Sequence, residues 1–160
     1  MEITLRRMTP EEFGEFADNS IELQARELAE EEDIPMEDAL DEAEEDLRDM
    51  LPHGQDTEDN FLCAVISAGR KVGAVWYSFD ETEGVKQAFL CDLLIDEAER
   101  RKGYGTAALR EAEKNAAEFG CEETVLFVSG KNRPARRLFE KCGYERIGAG
   151  DGGIYMGKSL

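Results

Sequence analysis

Residues 87–109 read QAFLCDLLIDEAERRKGYGTAAL, and the rest of the chain is arranged around them. Ala88 to Ile95 is an apolar run with the length and Leu/Ile/Phe content of a buried strand. A short acidic turn leads to Arg100, Arg101 and Lys102, then to Gly103, Tyr104 and Gly105. Beyond them Ala107, Ala108, Leu109, Ala112 and Ala116 recur at helical spacing. Strand, basic glycine loop and helix N-terminus together make a device for holding an anion. The glycines let backbone approach a ligand closely. The first helical N–H groups have no partner inside the helix, and the positive end of its dipole lies behind them. Phosphate is the guest this predicts. A chain reversal would also explain a lone glycine pair, but the cationic triplet beside it in an acidic chain favours the phosphate reading.

The type of phosphate is narrowed by spacing. Gly103 to Ala108 formally satisfies the dinucleotide pattern G-x-G-x-x-A, but Asp96 to Lys102 separate it from the strand. The next strand also ends in Val128-Ser129, without the acidic residue that pattern wants. Arg100-x-x-Gly103-x-Gly105 instead resembles the (Gln/Arg)-x-x-Gly-x-(Gly/Ala) motif of the GNAT family of N-acetyltransferases. A second block, Asn132-Arg133-Pro134-Ala135-Arg136-Arg137-Leu138-Phe139-Glu140-Lys141-Cys142-Gly143-Tyr144, resembles that family's N-x-x-A-x-x-L-(Y)-x-x-x-G-(F/Y) segment. From about Ser67 onward the resemblance covers most of the chain.

The resemblance implies acetyl-coenzyme A as co-substrate, with no metal. Arg100, Arg101, Lys102, Gly103, Tyr104, Gly105 and Thr106 would surround the pyrophosphate. Leu93, Leu94 and Ile95 would offer backbone groups to the pantetheine arm, in a splay between Phe89–Ile95 and Val125–Val128. Asn132 would contact the cofactor, and as a helix N-cap it has an equally good structural role. Phe139 stands against the cofactor where the family often carries a tyrosine that protonates the leaving thiolate, and phenylalanine cannot do so. Tyr104, Tyr144, Tyr155 or water are the substitutes by position. The implied reaction is direct attack of an amine on the thioester, which requires a base because amines are protonated at neutral pH. Asp92 is the candidate, as the only carboxylate in the run Ala88 to Ile95, where burial would raise its pKa. A structural acceptor role for Asp92 is the alternative. A non-catalytic acyl-CoA sensor is the competing function, and a dinucleotide oxidoreductase is third.

Length and charge set bounds. The chain has 160 residues, enough for one domain with a substantial core. No run reaches the roughly 20 apolar residues of a membrane span, and the opening residues lack the apolar stretch of a secretory leader. Cys63, Cys91, Cys121 and Cys142 show no zinc spacing, so reduced thiols in the cytoplasm are expected. Of the net charge of −18, the stretch Glu11–Asn60 carries 21 Asp/Glu against two Arg; Arg100–Leu160 carries 12 basic and eight acidic residues. That polarity suits an anionic cofactor and a cationic acceptor, disfavours nucleic acid, and would also arise from salt adaptation. Small-molecule or peptide amines are the expected partners of a monomer or homodimer.

In chain order, Ile3, Leu5 and Met8 suggest a short strand. Thr9-Pro10-Glu11-Glu12 is a helix start with a capping box, and Phe13, Phe16, Ala17, Ile21, Ala25 and Leu28 line one helix face. Pro35 opens a second helix with Ala39, Leu40, Ala43, Leu47 and Met50 inward. His53 sits alone in the loop that follows and is left out of the chemistry. Phe61–Ser67 and Lys71–Phe79 read as a hairpin about Ala68-Gly69-Arg70, followed by a turn over Asp80–Gly84. The glycine-loop helix ends near Gly120. Val125–Val128, a helix from Asn132 or Arg133 to Gly143, and a strand at Ile154–Met156 follow, with Gly148–Gly153 as a flexible tip. The expected fold is α/β (α+β): a central mixed, mostly antiparallel sheet flanked by helices.

Overall fold

The computed structural model of the chain describes residues 2–160. In chain order the elements are β1 (Thr4–Arg7), α1 (Pro10–Glu32), α2 (Met36–Met50), β2 (Asn60–Ser67), β3 (Arg70–Thr82), β4 (Val85–Ile95), α3 (Tyr104–Glu118), β5 (Glu123–Ser129), α4 (Arg133–Lys141), β6 (Glu145–Gly150) and β7 (Gly153–Ser159). Contacts divide them into two compact units, one holding β1 with residues 59–160 and the other Met8–Glu58.

The larger unit holds one seven-stranded sheet in the order β1-β2-β3-β4-β5-β7-β6. Every pairing is antiparallel except β4 with β5, so the expected mixed sheet with flanking helices is the fold observed. The hairpins close through two-residue turns, Ala68-Gly69 and Glu83-Gly84, with all four residues at positive φ. Such turns match the right-handed twist of the strands they join. The second turn is shorter than expected, because Asp80 to Thr82 stay in register with Gln87 to Val85 and extend β3.

A larger departure lies near the C-terminus. Gly148–Gly153, expected to be a flexible tip, instead closes the β6–β7 hairpin. Two of its glycines are there for space. A Cβ on Gly153 would sit 2.2 Å from the Val128 carbonyl oxygen, and one on Gly150 would sit 3.0 Å from the Tyr155 ring. Residues without side chains leave no period-two pattern, so the strand is invisible to hydropathy.

One face of this sheet is covered. Val65, Val75, Tyr77, Leu90, Leu126, Val128, Ile154 and Met156 pack into a core with Ala108, Leu109, Ala112 and Ala116 of α3 and Phe139 and Cys142 of α4. Burying a large apolar side chain contributes roughly 1.5–3 kcal/mol, so this face holds the unit together. Within it lies a polar triad: Glu113 accepts from Tyr144 Oη at 2.9 Å and from Lys158 Nζ at 2.9 Å. Burial and the neighbouring Glu113 carboxylate push the Tyr144 phenol up. Glu113→Ala is expected to cost about 2–4 kcal/mol, because it strands a buried hydroxyl and an ammonium. Thermal unfolding should register that as a loss of roughly 5–12 °C.

The smaller unit is built from α1 and α2. Thr9 Oγ1 accepts from Glu12 N at 3.1 Å, and Glu12 Oε1 accepts from Thr9 N at 2.8 Å. This is the expected capping box. The seam between the helices is made by Ala25, Ala39 and Ala43, with Ile21, Leu28, Ala29 and Ile34 around it, and Gln24 Nε2 donates across it to Asp46. Small residues let the backbones approach. Leu40 and Met50, expected inward, are exposed, because the alanine seam draws the helices together along a narrower stripe. Both arginines pair with a glutamate one turn earlier, Arg26 with Glu22 and Arg48 with Glu44. Crowding by Glu32 raises the Glu42 pKa. Added salt should therefore raise the melting temperature, by screening this self-repulsion.

Candidate functional site

β4 and β5 run in parallel contact only from Gln87–Glu123 to Leu90–Leu126. Past that point each strand keeps its other neighbour, β4 with β3 as far as Ile95–Gly73 and β5 with β7 as far as Ser129–Gly153. The two strands therefore part, and the facing backbone edges of Cys91–Ile95 and Phe127–Ser129 lack each other as partners. A cavity of about 150 Å³ occupies the gap, lined among others by Cys91, Asp92, Leu93, Phe127, Asn132 and Phe139.

The divergence begins at a bulge. Trp76 pairs with Asp92 and Tyr77 with Leu90, leaving Cys91 without an opposite residue. An extra residue bends its strand and re-aims side chains. Trp76 lies between Val75 and Tyr77, which point into the core, so Trp76 and its cross-strand partner Asp92 project from the opposite face. Ala135, Leu138 and Phe139 of α4 pack on the core side. The gap is thus a slot through the sheet, with α4 on one side and Asp92 on the other.

Burial pushes the Asp92 carboxyl up, partly offset by a hydrogen bond from the Leu93 N–H. Burial also raises the Cys91 thiol, to about 11, and its sulfur is 3.7 Å from Ser78 Oγ. Asn132 caps α4 by accepting from Ala135 N at 3.2 Å while also lining the slot. Phe139 is 8% exposed, and its ring meets Tyr144 edge-on at 5.8 Å.

At the end of β4 the chain turns through Glu97–Glu99 into the basic loop. Arg101 takes φ 65°, a left-handed conformation that costs energy in a residue with a Cβ, and Gly103 takes φ 86°. Gly103 is the N-cap of α3, and no side chain caps the helix. The first helical bond is Ala107 N to Gly103 O, so the preceding N–H groups, Gly105 and Thr106 among them, have no partner within the helix. Arg100 Nε donates to Ile95 O at 3.0 Å, which ties the loop to the strand end. Lys102 differs from the two arginines. Its ammonium is 3.3 Å from the buried Glu99, which also pairs with Arg70, and these partners hold the Glu99 carboxyl below its ordinary value.

The structure brings Leu93, Asp92, Asn132 and Phe139 to the slot, while the basic loop and the uncapped helix start follow the end of the same strand. Of the substitute proton donors, Tyr144 is buried against Glu113, Tyr104 packs on the core, and Tyr155 sits beside Phe127 on the Asp92 face. Phe127 and the bulge residue Cys91 were not expected at the site. The Trp76–Asp92 and Phe127–Tyr155 registers that put them there are long-range properties. Among the described residues no group of three or more His, Cys, Asp or Glu is placed to hold a metal.

Comparison with known proteins gives a consistent result. A family model described as the acetyltransferase (GNAT) family matches residues 22–144. The uncharacterized N-acetyltransferase YdgE of Bacillus subtilis is 30% identical over 145 residues, 90% of this chain and 92% of that protein. The crystal structure of YycN from the same organism, an uncharacterized N-acetyltransferase, superposes with a TM-score of 0.84 at 27% identity, covering 93% of this chain and 96% of that one. The PaiA N-acetyltransferase of Thermoplasma acidophilum, solved with coenzyme A, shares the fold at a TM-score of 0.73 and 20% identity over all of both chains.

Proposed function

The chain belongs to the acetyltransferase (GNAT) family, and on that footing we propose that it moves an acetyl group from acetyl-CoA to a primary amine by direct attack. Acetyl-CoA is the co-substrate typical of this family, and what it supplies is an activated acyl group. The observation that carries the proposal is the slot, with an uncapped helix start and basic loop after one of its strands and a desolvated carboxylate at its far side.

The residues divide the work by position. The N–H groups at the start of α3, with Arg100 and Arg101, hold the pyrophosphate; Lys102 contributes less because Glu99 already engages it. The edge of β4 from Leu93 to Ile95, which lacks β5 as a neighbour, bonds the pantetheine amides as that strand would, with the Ile95 carbonyl shared with Arg100. Asn132 and Phe139 line the slot around the arm. Asp92, its pKa raised by burial, takes a proton from the acceptor ammonium, directly or through water. The amine nitrogen bonds to the acetyl carbon, the carbon–sulfur bond breaks, and the second proton of the nitrogen passes through water to the departing thiolate. An ordinary thiol, with a pKa of about 8.5, leaves well enough without an acid, so Phe139 does not block the reaction.

A second reading, a non-catalytic acyl-CoA sensor, is favoured by Phe139 alone. Release of free coenzyme A separates the two. The enzyme predicts release that depends on added amine and shows saturation, together with thermal stabilisation by acetyl-CoA. Stabilisation with no amine-dependent release across a broad panel would favour the sensor.

A further inference from the structure

Beyond the slot, the sheet face opposite the core carries exposed large apolar side chains on β5, β7 and β6. Leu126, Val128, Ile154 and Met156 point into the core, so by alternation Phe127 and Tyr155 point outward. They are 38% and 39% exposed, and Ile147, displaced by a second bulge in β6, is 60% exposed. Ile147 lies over Gly157, where a Cβ would come within 3.2 Å of it. The Phe127 and Tyr155 rings meet edge-on at 5.1 Å. Gly150 and Gly153 clear the space they occupy, since a Cβ at Gly153 would lie 2.7 Å from the Phe127 ring. Three glycines on two strands thus seat three large apolar side chains in a shallow ledge.

The ledge is continuous with the candidate chemistry. Phe127 forms its inner edge and also lines the slot with Asp92 and Cys91. Phe127 and Asp92 project from the same face of one sheet, and Asp92 complements an ammonium. Three side chains are far short of the roughly 1,000 Å² that a stable protein interface buries, so a second copy of the chain is a poor occupant. We propose that this ledge selects the acceptor: a primary amine whose substituent is aromatic or bulky and apolar, lying across Phe127, Tyr155 and Ile147 with its nitrogen at Asp92. The inference deepens the acetyltransferase reading and rests on it. The ledge acts on the substituent by contact, apart from any charge attraction on the ammonium.

The test compares phenethylamine with methylamine, and a peptide beginning with Phe with one beginning with Ser, on wild type and on Tyr155→Ser/Ile147→Ser. Neither altered residue lines the slot, so acetyl-CoA affinity serves as the folding control. Wild type should prefer the aromatic small amine, the aromatic peptide, or both, and which pair responds identifies the source. The double variant should lose about 10- to 100-fold in kcat/KM for the aromatic acceptor, as expected for a lost apolar contact, with methylamine little changed. Equal losses for both amines, or none, would overturn the ledge. So would a dimer in wild type that the double variant abolishes. Amine binding to the coenzyme A complex, followed by NMR of the Tyr155 ring, keeps the two readings apart. Aromatic amine bound at the ledge without turnover upholds the ledge and sinks the catalytic reading; turnover indifferent to the substituent does the reverse.

Discussion

Asp92→Asn is expected to lower kcat by about 100- to 10,000-fold, the range for loss of a positioned general base, while acetyl-CoA binds as before. The pH dependence makes the result specific. Burial raises the Asp92 pKa, so the wild-type rate should climb with pH as this carboxyl ionises, and that limb should vanish in the variant. Stability moves the other way. The folded state holds the Asp92 proton more tightly than the unfolded chain does. Its contribution is therefore fully present below the ordinary carboxylate range and is lost as pH rises through the raised value. Asparagine escapes that loss, so the variant should melt above wild type at pH 8 and near it at pH 4. A purely structural Asp92 would give the opposite pattern: a destabilised variant with an unchanged pH–rate profile.

The second large effect concerns the cofactor loop. Arg100→Glu/Arg101→Glu is expected to weaken acetyl-CoA binding by about 100-fold or more, since each reversal replaces a charge-assisted hydrogen bond with repulsion at the phosphate. The loss measured by calorimetry should shrink as salt rises, because both residues are exposed. Lys102→Glu should show a smaller loss and a lower melting temperature, because it breaks the Glu99 pairing instead. Unchanged affinity in the double variant would move the phosphate site elsewhere.

The parts legible in the sequence were those encoded locally. Thr9 with Glu12, the paired turn residues Ala68-Gly69, and the run from Ala88 through Gly105 each specify their conformation from neighbours a few positions away. The slot was reachable only through the family resemblance. It arises because β4 follows β3 and β5 follows β7 after Leu90–Leu126, and register across strands leaves no local trace. The glycine-rich β6 was missed for the same reason that it works. Gly150 is defined by the Tyr155 and Phe127 rings it must clear, and those belong to other strands. In α2 the apolar period is plain, but the depth of each residue depends on an alanine seam with α1, so Leu40 and Met50 lie outward where the period alone predicts them inward.

The most direct test of the account is mass-resolved acetyl transfer. Purified protein is given acetyl-CoA carrying an isotopic label in the acetyl group, with a pooled panel of aryl- and alkylamines, amino acids, polyamines, aminoglycosides and peptides. The account predicts labelled acetyl on the nitrogen of a primary amine, formed in proportion to protein and strongly reduced both by Arg100→Glu/Arg101→Glu at limiting acetyl-CoA and by Asp92→Asn. Tight acetyl-CoA binding with no labelled amine at any protein concentration would contradict it and leave the sensor as the better description.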